Sequence, residues 1–85
     1  MSLDRSLSIL VEAAQQLWTV FVSINTEQGK VDREIEPYSI LRREGTQILY
    51  FWDLSDRCPG MVRLSQLQSV TASSRHFELR YIVEL

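Results

Sequence analysis

Trp18-Thr19-Val20-Phe21-Val22-Ser23-Ile24 is where the period of this sequence changes, and the fold follows from that change. Trp18, Val20, Val22 and Ile24 alternate with Thr19, Phe21 and Ser23. β-Branched and aromatic residues at a period of two predict a strand. Upstream, Leu3, Leu7, Leu10, Ala14 and Leu17 recur at spacings of four and three, and Val11 and Trp18 widen the stripe. That pattern predicts an amphipathic helix over about residues 3–17 that packs on the protein's own sheet. Ser2 or Asp4 can cap its start, because a short side-chain oxygen accepts a free backbone N–H there.

Downstream of the first strand every segment reads as extended. Asn25 to Lys30 is polar, holds Gly29 and predicts a hairpin loop. Val31, Arg33 and Ile35 alternate with Asp32, Glu34 and Glu36, a half-exposed strand with an acidic outer stripe. Pro37 lacks an N–H for the ladder and belongs at an edge, a bend or a bulge. Tyr38 to Arg43 extends again, and Glu44-Gly45-Thr46 is a tight turn. Gln47 to Leu54 is the most hydrophobic strand. Ser55 to Gly60 reads as a loop, Met61 to Leu64 as a short strand and Ser65 to Leu67 as a single helical turn. Gln68 to Ala72 is a strand and Ser73-Ser74-Arg75 a turn. A last strand over about 76–85 carries Phe77, Leu79, Tyr81, Val83 and Leu85 on one face. One helix and about five to seven short strands leave no room for the crossovers that a parallel sheet requires. The expectation is a mainly β fold with one N-terminal helix: a small, bent antiparallel barrel with the helix capping it.

The chain has 85 residues, enough for one domain, 1–85, with a single modest core. Hydrophobic residues make up 45% and charged residues 24%, too apolar for a disordered tail. Nine Lys+Arg against eleven Asp+Glu give a net charge of −2, which excludes a polycation that coats duplex DNA. One cysteine and one histidine exclude an internal disulfide and a structural zinc site. The longest uncharged run, Ala13 to Thr26, contains Gln15, Gln16, Thr19, Ser23 and Asn25 and is shorter than the roughly 18 apolar residues of a membrane span. With no leader pattern at the N-terminus, a cytoplasmic location is expected.

Three elements resemble a WYL domain. The first is Arg33-Glu34-Ile35-Glu36-Pro37-Tyr38-Ser39-Ile40. After a Gly turn comes Ile48-Leu49-Tyr50-Phe51-Trp52-Asp53, then Val62-Arg63-Leu64-Ser65-Gln66-Leu67-Gln68-Ser69-Val70. The resemblance covers about Leu7 to Ala72, and Glu36-Pro37-Tyr38 is its most specific part. The chain departs from the family pattern at Gln47 and Ile48, where the name-giving Trp and Tyr would stand, and at Ser65 and Gln66. The resemblance implies an Sm-like barrel over strands 18–72, with residues 76–85 as an additional strand. It also implies a regulatory ligand-sensing role in bacterial transcription, with a nucleic acid or nucleotide as ligand. A DNA-binding domain elsewhere in a longer chain goes with that role.

Within this frame Tyr38 and Arg63 take family positions, and Arg42 and Arg43 join them by strand position. Guanidinium forks match phosphate oxygens and stack on bases. The competing reading makes the arginines solvated strand residues paired with Glu34, Glu36 or Glu44, and Tyr38 a packing residue. Trp18 and Trp52 read as core, Asp53 as the cap of the following turn, and His76 as an exposed strand residue. Cys58 reads as an unactivated thiol. No catalytic spacing, metal-ligand set or phosphate-cradling Gly loop is present, so no enzyme activity and no cofactor are expected. The alternative function is a protein-interaction or oligomerisation module with a decayed ligand site. The apolar last strand favours a homodimer.

Overall fold

The computed structural model describes residues 3–79, with side chains from residue 5 onward. Helix α1 (Leu3–Gln16) leads into five antiparallel strands: β1 (Trp18–Thr26), β2 (Gly29–Arg43), β3 (Thr46–Asp53), β4 (Cys58–Arg63) and β5 (Leu67–His76). A 3-10 turn, Leu64–Gln66, joins β4 to β5. The spatial order is β4-β3-β2-β1-β5. This is the expected helix-plus-antiparallel-sheet architecture, but the sheet stays open. β4 and β5 are its two edges and do not pair with each other.

β2 determines the shape. Its first half pairs with β1, from Thr26↔Gly29 to Val20↔Ile35, and its second half pairs with β3, from Ile35↔Asp53 to Arg43↔Thr46. Fifteen residues of straight strand would run about 50 Å. The whole molecule is only 30 Å in its longest dimension, so β2 must bend. The bend falls at Pro37, where the register shifts between Pro37↔Phe51 and Ser39↔Tyr50. Tyr38 is the extra residue of this bulge. Pro37 lies beyond the last residue paired with β1, where a missing N–H costs no ladder bond on that side.

The concave side holds the core: Leu10 and Ala13 of α1 against Val20, Val22, Ile35, Leu49, Phe51, Val62, Leu64 and Val70. The helix buries Ser6, Leu10 and Ala13, while Val11 is 41% exposed, so the stripe is rotated from the expected one. α1 ends at Gln16, and the next residue, Leu17, adopts a left-handed conformation (φ 61°) that normally favours glycine. Leu17 O accepts a hydrogen bond from Phe77 N at 2.8 Å, tying the chain after β5 to the helix end.

Three local expectations change. Ser73, Ser74 and Arg75 continue β5 instead of turning. Cys58, Pro59 and Gly60 begin β4 instead of ending a loop. The acidic strand and the Tyr38–Arg43 segment are one strand, not two. Of the proposed C-terminal strand, His76 belongs to β5 and Phe77 to Leu79 have no regular structure. Residues 80–85 lie outside the described residues.

Candidate ligand-binding face

Cross-strand register shows which side chains share the convex face. Leu49, Phe51 and Asp53 of β3 are buried, so Ile48, Tyr50 and Trp52 take the opposite side. Their neighbours on β2 are Leu41 beside Ile48, Ser39 beside Tyr50 and Glu36 beside Trp52. On β4 the corresponding neighbours are Arg63, Met61 and Pro59. Arg43, beside Thr46 and two residues beyond Leu41, belongs to the same face. Arg43 and Arg63 thus flank Ile48 from the two strands either side of β3. Strand spacing and rise put their Cα atoms about 12 Å apart.

Both arginines are exposed, and among the described residues neither forms an ion pair. Met61 is 67% exposed beside Tyr50. Ile48, Met61, Val62, Arg63 and Gln66 line an open groove of about 330 Å³ at this edge. Gln66 Oε1 accepts from Arg63 N at 3.2 Å and fixes the chain where β4 ends. A half-buried aromatic ring, apolar neighbours and two free guanidinium groups suit a flat anionic ligand.

The other half of the sheet is acidic. Phe21 is half exposed between Glu34 on β2 and Thr71 on β5. Thr19, 1% exposed, donates to Glu34 Oε2 at 2.7 Å and also hydrogen-bonds the Ser73 hydroxyl. Arg75 Nε lies 3.5 Å from Glu34 Oε2. Arg33 Nε lies 3.5 Å from Asp53 Oδ2, and Asp53 Oδ1 accepts from Ser55 N and Asp56 N at 2.8 and 3.2 Å. Asp53 is therefore the turn cap expected of it, with an ion pair added. Trp18 is half-buried, and its Nε1 donates to His76 Nε2 at 2.9 Å.

The structure divides the four arginine and tyrosine candidates. Arg43 and Arg63 share a face. Arg42, beside Gln47, follows Ile40 onto the opposite side of β2. Tyr38 sits at the bulge next to α1, its hydroxyl donating to Glu36 Oε1 at 3.2 Å and its ring 5.7 Å from that of Phe77. Four residues of strand, about 13 Å, separate it from Arg42. Sequence reasoning passed over Tyr50 and Met61, whose signal was alternation with the buried Leu49 and Phe51. Trp52 is half-buried on the convex face and not in the core. Among the described residues no group of three His, Cys, Asp or Glu is placed to hold a metal ion. No helix there is long and apolar enough to cross a membrane.

The arrangement defines a class of fold: one N-terminal helix on an open, bent five-stranded sheet of order β4-β3-β2-β1-β5. No protein-family model matches the chain, and no curated protein sequence does. Among solved structures it is similar to proteasome accessory factor B/C (PafBC) of Arthrobacter aurescens. The TM-score is 0.83 at 13% identity, over 87% of this chain and 12% of that one. At this identity the likeness shows the fold; the site has to be argued from its own residues.

Proposed function

We propose that this domain is a regulatory ligand-sensing module of WYL type, which binds a nucleotide or single-stranded nucleic acid on the convex face of β2–β4. The observation that carries the reading is the pair Arg43 and Arg63 on one face, flanking β3 from β2 and β4 beside Thr46 and Ile48, with no acid paired to either among the described residues. The fold shared with part of PafBC is compatible with it. The Glu36-Pro37-Tyr38 element, whose Pro37 and Tyr38 make the β2 bulge, supports it. Tyr38 acts in this reading by holding the bulge, not by touching ligand.

Titration with short single-stranded DNA, RNA and cyclic dinucleotides at low salt tests the proposal. Binding should weaken as salt rises. Arg63→Ala should weaken it roughly tenfold, the loss of one charge-assisted contact of about 1.5 kcal/mol. No binding to any of these ligands, or binding indifferent to Arg63→Ala, refutes it.

A second reading is an interaction module that works as a homodimer or packs on another domain. The open edges of β4 and β5 favour it, because unpaired strand edges invite pairing. Light scattering at micromolar concentration decides whether a dimer forms.

A further inference from the structure

The 3-10 turn that joins β4 to β5 folds one side chain back on its own start. Arg63, the residue before the turn, keeps an extended backbone, and its N–H donates to Gln66 Oε1 at 3.2 Å. A Gln that reaches back in this way satisfies the free N–H at the cap of a helical turn. A backbone N–H can only donate, so the carboxamide atom facing it has to be the oxygen, and the NH2 group takes the other arm of the fork. Among the described residues that NH2 group has no protein partner, and it is not buried. Gln66 lines the open groove together with Ile48, Met61, Val62 and Arg63, none of them an acid, a hydroxyl or a His. The polar side-chain groups left to the groove are therefore donors: the Gln66 NH2 and the Arg63 guanidinium.

We infer that Gln66 selects the base bound beside Arg63, favouring a keto oxygen (guanine, hypoxanthine, thymine or uracil) over an exocyclic amine in its place (adenine or cytosine). The inference rests on the reading above, in which this face binds a nucleotide or single strand and Arg63 holds a phosphate. Ile48 and Met61 give the groove an apolar wall on which a base can lie, and a thioether packs well against an aromatic ring. A phosphate gains nothing from that wall, so it belongs with the exposed guanidinium groups and the base with the groove. Guanine O6 and the O4 of thymine or uracil are acceptors and meet the Gln66 NH2 directly. Adenine N6 and cytosine N4 are donors and meet it donor to donor. Turning the amide over does not rescue the amino bases, because the Arg63 N–H would then lose its acceptor and face an NH2 group.

Fluorescence anisotropy at low salt tests this, with labelled hexadeoxynucleotides that are abasic but for one central base. Hypoxanthine should be favoured over adenine, and uracil over cytosine, each roughly three- to tenfold, the worth of one hydrogen bond. Gln66→Glu keeps an acceptor for the Arg63 N–H but replaces the outward NH2 by an oxygen. The ratios should then vanish or reverse, and they are insensitive to the uniform loss of affinity that the added charge brings. Gln66→Met removes the amide at nearly unchanged length and should abolish both preferences. Equal affinity of the unaltered chain for the hypoxanthine and adenine strands, or a preference that survives both substitutions, overturns the inference and leaves the nucleic-acid reading standing. No binding of these strands also overturns it; the nucleic-acid reading falls only if unmodified oligonucleotides and cyclic dinucleotides fail as well.

Discussion

Gly60 should be intolerant of even one added methyl group. It opposes Phe51 across the β3–β4 ladder, on the core side of the sheet. A Cβ built at Gly60 would lie 2.8 Å from Phe51 Cζ, 2.9 Å from Cε1 and 3.2 Å from Cε2. Real carbon–carbon contacts stand near 3.5–4.0 Å, so the ring would have to move by most of an ångström. Phe51 is 5% exposed and packed in the core, so it has little space to move into. Overpacking of this kind costs about 1–3 kcal/mol. Removing a glycine from a strand returns about 0.5–1 kcal/mol. At the middle of these ranges the net loss for Gly60→Ala is about 1 kcal/mol, or a fall in Tm of roughly 4–8 °C for a domain this small. Thermal unfolding followed by circular dichroism measures it, and urea titration gives the free energy. Phe51→Leu supplies the second arm. It destabilises alone by opening space, but combined with Gly60→Ala the losses should sum to less than their total, because the methyl enters the vacated volume. A Tm unchanged or raised by Gly60→Ala, or strict additivity in the double variant, would refute the reasoning.

Other consequences are as direct. Thr19→Val keeps the shape but removes the donor to Glu34, and should cost about 1–2 kcal/mol in urea unfolding. Asp53→Ala loses both the turn cap and the Arg33 pair, whereas Asp53→Asn keeps an acceptor for Ser55 N and Asp56 N. Stability should fall by about 1–2 kcal/mol in the first and by clearly less in the second. Trp18 Nε1 can only donate, so His76 Nε2 must accept, and nitrogen NMR of the neutral ring should show the proton on Nδ1.

Most of the architecture was legible from periodicity. The change from spacings of three and four to two at Trp18 marks the junction of α1 and β1 within a residue. Pro37 pointed to an edge, a bend or a bulge, because it has no N–H for a ladder, and the structure has a bulge there. Polar composition misled where a strand lies at the sheet edge. Ser73-Ser74-Arg75 reads as a turn, yet β5 pairs on one side only, and a strand there needs few apolar residues. Cys58-Pro59-Gly60 reads as a loop, yet β4 is the other edge, where Pro is tolerated and Gly60 admits the Phe51 ring. The acidic stripe and the strand after Pro37 look like two elements because their outward positions change from even to odd numbers. That change is the bulge itself.

The same parity change decides which arginine can meet the ligand. Before the bulge the residues of β2 on this face are Asp32, Glu34 and Glu36, the last of them buried; after it they are Ser39, Leu41 and Arg43. One inserted residue flips every later side chain to the other face. A strand of uniform alternation would have kept Arg42 beside the acids' face and sent Arg43 inward, so adjacent arginines that look equivalent in sequence are not equivalent in space. Arg43→Ala should therefore weaken oligonucleotide binding about as much as Arg63→Ala, roughly tenfold at low salt, while Arg42→Ala should leave it within about twofold. The Arg43→Ala/Arg63→Ala pair should also reduce the salt dependence of binding, since each removes one phosphate neutralisation. The acidic half of the face adds a directional constraint. Glu34 and Asp32 repel an anionic strand, so the path of the ligand is confined to β3 and β4, away from Phe21. Equal losses from Arg42→Ala and Arg43→Ala would mean the ligand wraps the end of β2 instead of lying on one face, and the convex-face assignment would fall.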